Sequence, residues 1–146
     1  MKKLAVLLLS SIAVAAAAQQ PTLPAVDLSV GVHLIKAEVA NTFATRMEGL
    51  MRRPSMPSNS GMLFVFDQSE VQCMWMKNTL IPLSVAFLDD QGTIINIEDM
   101  QPQTEQTHCA RQPARFALEM NKGWFTQRGI RPGTKVRGLE KLTKPQ

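Results

Sequence analysis

The sequence predicts a mainly β domain: a compact antiparallel β-sandwich or barrel carrying two short helices. Three observations point there. Apolar residues recur with a period of two in several short runs. Turn-forming Gly, Pro, Asn and Asp separate these runs. Strands and helices do not alternate regularly, which argues against a doubly wound parallel sheet. The chain has 146 residues, of which 45% are hydrophobic and 19% charged. That length fits one domain, and that composition is globular rather than disordered or fibrous.

Residues 1–18 read as a secretory signal peptide, not as part of the fold. Lys2 and Lys3 form its positive start, Leu4 to Val14 its apolar core, and Ala15 to Ala18 a small-residue cleavage site. The predicted cut follows Ala18. The apolar stretch is too short for a membrane span, which needs roughly 20 residues. The expected location is therefore the periplasm or the medium, with no stable membrane insertion after cleavage. Cleavage removes Lys2 and Lys3 from 16 cationic residues and none of the 12 acidic ones, lowering the net charge from +4 to +2. So weak a positive balance, with no long basic run, gives no support for a nucleic-acid partner.

Residues 19–30, with Pro21 and Pro24, read as an extended leader, and 31–140 as the single β-rich domain. Its first strand carries Ile35, Ala37 and Val39 alternating with Lys36 and Glu38. Thr45 and Glu48 stand at capping-box spacing, which predicts a short helix over Arg46–Met51 with Gly49 inside it. Arg52 to Gly61, with two prolines, is a loop, and Met62 to Phe66 a buried strand. Val71 to Lys77 is the next strand. Ile81–Leu88 and Thr93–Ile97 flank Asp89-Asp90-Gln91-Gly92 and read as a hairpin. Met100 to Pro113 is a long polar loop. Arg115–Met120 is a strand, and Gly123–Arg128 a short helix stopped by Gly129. Thr134–Leu139 is the last strand, and 141–146 a tail.

Four strings resemble a known family: Arg46-Met47-Glu48-Gly49-Leu50-Met51-Arg52-Arg53, Gly61-Met62-Leu63-Phe64-Val65-Phe66, Trp75-Met76-Lys77-Asn78-Thr79-Leu80-Ile81-Pro82-Leu83, and Leu118-Glu119-Met120-Asn121-Lys122-Gly123. In this order they resemble domain of unknown function 192, over about Lys36 to Leu139. The resemblance implies a compact, jelly-roll-like β domain of a kind often exported. The family has no settled biochemical activity, so the resemblance leaves function open. Ser84 stands where many members carry Asp, and Glu98 where many carry His. Both departures weaken a catalytic role at those positions.

Lys77, Asn78 and Thr79 offer an amine, an amide and a hydroxyl in a row. With the planar fork of Arg46, and with Glu119, they form a candidate binding face for a small polar, glycan or peptide ligand. The plainer reading is that Asn78 and Thr79 hold a turn, while the two cations pair with Glu48 or Glu119. Cys73 and Cys109 are the two cysteines. Export favours a disulfide between them, worth roughly 2–4 kcal/mol in the loop-entropy picture. The competing reading is a catalytic Cys109 thiol beside His108.

No hydrolase or phosphate-loop motif is present. No cofactor or resident metal is expected, and no catalytic residue is nominated. The leading reading is a non-catalytic binding module of undetermined oligomeric state. One alternative is an envelope carbohydrate-active enzyme that pairs Glu98 with Glu119 or Asp99. Another is a copper-handling protein that uses its many Met sulfurs, although Met equally fills cores.

Overall fold

The computed structural model describes residues 22–142. The segment read as a signal peptide, residues 19–21 of the leader and residues 143–146 of the tail lie outside them. The first strand, β1, is Ala25–Val30, and β2 is His33–Ala40. Helix α1 is Phe43–Glu48, followed by β3, Ser60–Glu70, and β4, Cys73–Met74. Then come β5, Leu83–Leu88, β6, Ile94–Met100, β7, His108–Cys109, and β8, Ala114–Asn121. Helix α2, Trp124–Gln127, strand β9, Val136–Arg137, and a 3-10 turn over Leu139–Leu142, which takes in the start of the stretch read as a tail, complete the order.

Seven strands form one sheet in the order β6-β5-β8-β3-β2-β1-β9, while β4 and β7 pair separately. The mainly β expectation with two short helices holds, and the sheet curls as a half-barrel. Its two edges touch at one end. The Ile94 N–H donates to the Thr134 carbonyl (2.9 Å) and the Val136 N–H to the Gly92 carbonyl (2.8 Å).

Each face of the sheet carries a core. One face holds Leu28, Ile35, Leu63, Leu118 and Phe116, covered by Trp124 and Phe125 of α2. The other holds Met62, Phe64, Val85 and Phe87, covered by Leu50, Met76 and Ile81 from the connecting segments. Strand β5 is buried at every position, because both faces above it are covered.

Several elements differ from the sequence reading. β1 lies within the stretch read as a leader and pairs with β2 from Ala25↔Glu38 to Val30↔His33. β2 and β3 run parallel, not antiparallel, because α1 carries the chain across between them. α1 begins three residues earlier than predicted. Thr42, not Thr45, is its N-cap, and Thr42 and Thr45 exchange the reciprocal capping bonds. Gly49 then ends the helix at φ 49°, a conformation L side chains rarely adopt. The strand expected over Val71–Lys77 shrinks to Cys73–Met74, and the last strand to Val136–Arg137.

Among the described residues no helix is long and apolar enough to cross a membrane. Cys73 and Cys109 form a disulfide with an S–S distance of 2.06 Å, a bond compatible with export. His108 neighbours Cys109 on β7, where successive side chains point to opposite faces.

Candidate functional site

The five nominated residues do not share one hollow. Arg46, on α1, is a clamp. Its Nη1 donates to the Asn41 carbonyl at 3.1 Å and to the Val65 carbonyl at 2.9 Å. It thereby bridges β2 and β3 where their pairing ends at Ala40↔Phe64. Its Nη2 donates to Asp67 Oδ2 at 3.1 Å; the Arg46 side chain is 16% exposed and that of Asp67 83%. The guanidinium lies 6.0 Å from the Phe66 ring centre.

Lys77 sits over Trp75, with Nζ 5.2 Å from the ring centre, and pairs loosely with Glu105 at 3.7 Å. Asn78 takes a left-handed φ of 53°, and its carbonyl accepts the Arg52 N–H at 2.8 Å. Thr79 is buried, and its hydroxyl donates to the Lys77 carbonyl at 3.2 Å. Asn78 and Thr79 therefore shape a turn. The cations find Asp67 and Glu105, not Glu48 or Glu119.

Glu119 lies on β8, opposite Met62 of β3 and Val85 of β5. It is 3% exposed. Burial among apolar neighbours pushes its carboxyl up to about 8, so it is mostly protonated at neutral pH. Val85 also faces Glu98 of β6, so one strand separates the two carboxyl residues. Strand spacing puts their backbones roughly 10 Å apart. Glu98 is engaged by Asn96 Nδ2 at 3.0 Å and by Arg111 at 3.6 Å. A glycan has no access to a carboxyl as deeply covered as Glu119. Met62, Met76 and Met100 are fully buried in the same core face, where they fill space.

The described surface carries a groove of about 530 Å³. Helix α1 contributes Phe43, Arg46 and Met47; β3 contributes Phe64, Phe66, Asp67, Gln68 and Glu70; Gln72, Cys73, Met74 and Trp75 complete the lining. Phe43 and Met47 stand four residues apart on one helical face and are 75% and 47% exposed. Apolar side chains thus flank a polar floor in which Arg46 stands paired with Asp67, with Glu70 farther along the same lining. Nη1 of Arg46 is committed to two carbonyls, whereas the Nε–Nη2 edge carries one acceptor, the exposed Asp67 carboxylate. Sequence reasoning nominated Arg46 but missed Phe43, Phe66, Asp67 and Trp75. The available signal was the apolar pair at i and i+4 around Arg46.

The second polar feature is structural. Both carboxylate oxygens of Glu38 accept from the Arg53 guanidinium, and Oε2 also accepts the Leu23 N–H at 2.9 Å. Desolvation pushes the Glu38 carboxyl up, but the Arg53 and Leu23 bonds and the Arg53 charge outweigh it and hold it below its usual value. This pair ties the 52–59 loop to β2.

The family model for DUF192, described as an uncharacterized ACR, matches residues 26–138. The chain belongs to this family. The match begins inside β1, in keeping with that strand's place in the sheet. A Sinorhizobium meliloti structure described as a candidate transcription regulator is similar, at 32% identity and a TM-score of 0.78. The alignment covers 82% of this chain and 98% of that one. A Novosphingobium aromaticivorans protein of unknown function is similar at 34% identity and a TM-score of 0.77. There the alignment covers 85% of this chain and 94% of the other. Among curated proteins no match is found.

Proposed function

We propose that this DUF192 member is an exported, non-catalytic binding module. Its groove takes a peptide-like ligand that carries an apolar side chain and a free carboxylate. The observation that carries this reading is the Arg46 fork. Two backbone carbonyls orient it from behind, and its Nε–Nη2 edge is closed by a single, highly exposed carboxylate. A ligand carboxylate would displace Asp67 and take the fork in two parallel bonds, the geometry for which Arg is suited. The ligand's apolar side chain would lie between Phe43 and Met47 on one side and Trp75 on the other. Lys77, stacked on Trp75, adds positive charge beside that wall.

The test is an amide-shift titration with acetyl-Ala-Ala-Phe, as the free acid and as the C-terminal amide. The acid should perturb Phe43, Arg46, Phe66 and Trp75 and bind at least about tenfold more tightly, since a charged hydrogen-bond pair contributes on the order of 1.5–3 kcal/mol. Arg46→Lys should erase the preference for the acid, and Asp67→Ala should tighten acid binding. Equal affinity for acid and amide, or shifts outside the groove, would defeat the reading. So would an oligosaccharide that fills the groove where the peptide does not.

A further inference from the structure

The Cys73–Trp75 stretch of the groove lining is a short piece of chain with few backbone bonds of its own. β4 is two residues long, and its ladder with β7 consists of Cys73↔Cys109 and Met74↔His108. It belongs to a two-stranded sheet apart from the main one. Cys73 is exposed and lines the groove, whereas Cys109 is half-buried.

The two sides of the disulfide are anchored unequally. On the β7 side, Asn96 is almost fully buried in β6. Its Nδ2 donates to the Cys109 carbonyl at 3.2 Å, and its Oδ1 accepts the Arg111 N–H at 3.0 Å. On the β4 side, Val71 is 59% exposed, and the next fully buried side chain is Met76. Between them, outside the ladder, the Gln72 carbonyl accepts the Ala110 N–H at 2.8 Å and Met74 packs partly buried against the core, while the Met76 N–H beyond Trp75 donates to the Thr104 carbonyl at 3.0 Å. The disulfide therefore staples a lightly held wall to a firmly held strand.

From this placement we infer that Cys73–Cys109 is a thiol-exchange site whose opening releases the β4 wall of the groove. Exposed disulfides belong to the labile class rather than the inert structural one. The co-reactant is a dithiol reductant. One of its thiolates attacks the exposed Cys73 Sγ. The S–S bond breaks, and its electron pair leaves on Cys109 Sγ, which takes a proton from water. The second thiolate of the reductant then attacks its own sulfur in the mixed disulfide and frees Cys73, which is protonated in turn. Two electrons and two protons reach the protein, and the reductant leaves as a disulfide. β7 stays on Asn96, while β4, with Trp75, moves away from α1. The consequence for ligand affinity rests on the binding reading above.

The experiment exposes the folded, oxidised protein to dithiothreitol without denaturant and traps thiols with a maleimide. Both cysteines should be trapped while the amide spectrum of the main sheet stays dispersed. Tryptophan emission should shift in the wild type and stay unchanged in a Trp75→Phe variant, which retains Trp124. The Cys73→Ser/Cys109→Ser double variant should reproduce the reduced state, and either form should bind acetyl-Ala-Ala-Phe at least tenfold more weakly than the oxidised protein. A bond that opens only when the whole domain unfolds overturns the inference. So does a bond that opens with unchanged Trp75 emission. Absence of peptide binding in both states overturns the binding reading alone, and trapping and Trp75 emission then decide the redox reading by themselves.

Discussion

Glu119 is the residue whose chemistry the fold alters most. Its carboxyl titrates near 8 in the folded chain against an ordinary value of 4.5. Between those values the folded state holds a proton that the unfolded state has released. Its favourable contribution is fully present below about pH 4.5 and is lost as pH rises through about 8. Within this window each pH unit costs up to about 1.4 kcal/mol of stability. The thermal midpoint of the wild type should therefore fall between pH 5 and pH 8.5. Glu119→Gln keeps the shape and removes the titration, so its midpoint should stay nearly level and exceed that of the wild type at the alkaline end. Calorimetry on both proteins across that range checks it; parallel curves would sink the assignment. At this scale the sequence was a partial guide. It presents Glu119 in a strand of apolar residues, but which strands flank it, and hence its burial, is a matter of long-range pairing. Arg46 was legible as a functional candidate, whereas its acceptors at Asn41 and Val65 depend on where two parallel strands part.

Helix α1 shows how much of the groove rests on a short element. It has six residues, none of them buried, and an isolated helix of that length is unstable in water. What holds it is the reciprocal cap between Thr42 and Thr45, the turn at Gly49 and the Arg46 clamp. Thr42→Ala should cost about 1 kcal/mol, the usual worth of an N-cap. It should also loosen the rim formed by Phe43 and Met47. Hydrogen exchange on the 43–49 amides is the measurement, and unchanged protection there would contradict the role given to the cap. The sequence showed a helix here because capping residues and apolar spacing are local signals. It misplaced the start because Thr45-Glu48 and Thr42-Thr45 both have the right spacing, and the structure uses the second. The strand expected over Val71–Lys77 failed for the opposite reason. Its apolar run from Cys73 to Met76 is real, but the turn at Asn78 follows it closely and only Cys73 and Met74 stand opposite a partner.

The sheet as a whole depends on its first strand, the element most easily overlooked. Pro21 and Pro24 give the stretch before residue 31 the look of a linker, yet Val26, Leu28 and Val30 alternate with Asp27 and Ser29 in the same period of two that marks β2. All three apolar side chains are buried, with exposures of 9%, 1% and 0%. Each such burial contributes roughly 1.5–3 kcal/mol, so together they approach the net stability of an ordinary domain, about 5–15 kcal/mol. β9 pairs with β1 in the main sheet, and the segment just before it closes the curl against Gly92 and Ile94. Removing β1 therefore strips the core and unseats the closing strand together. A chain that begins at Gly31 should show no cooperative unfolding transition, whereas one that begins at Thr22 should unfold in one step. Urea titrations followed by far-ultraviolet circular dichroism distinguish them. A cooperative transition in the shorter chain would mean that β1 is a dispensable addition, and that the half-barrel is held by the contact between Gly92–Ile94 and Thr134–Val136.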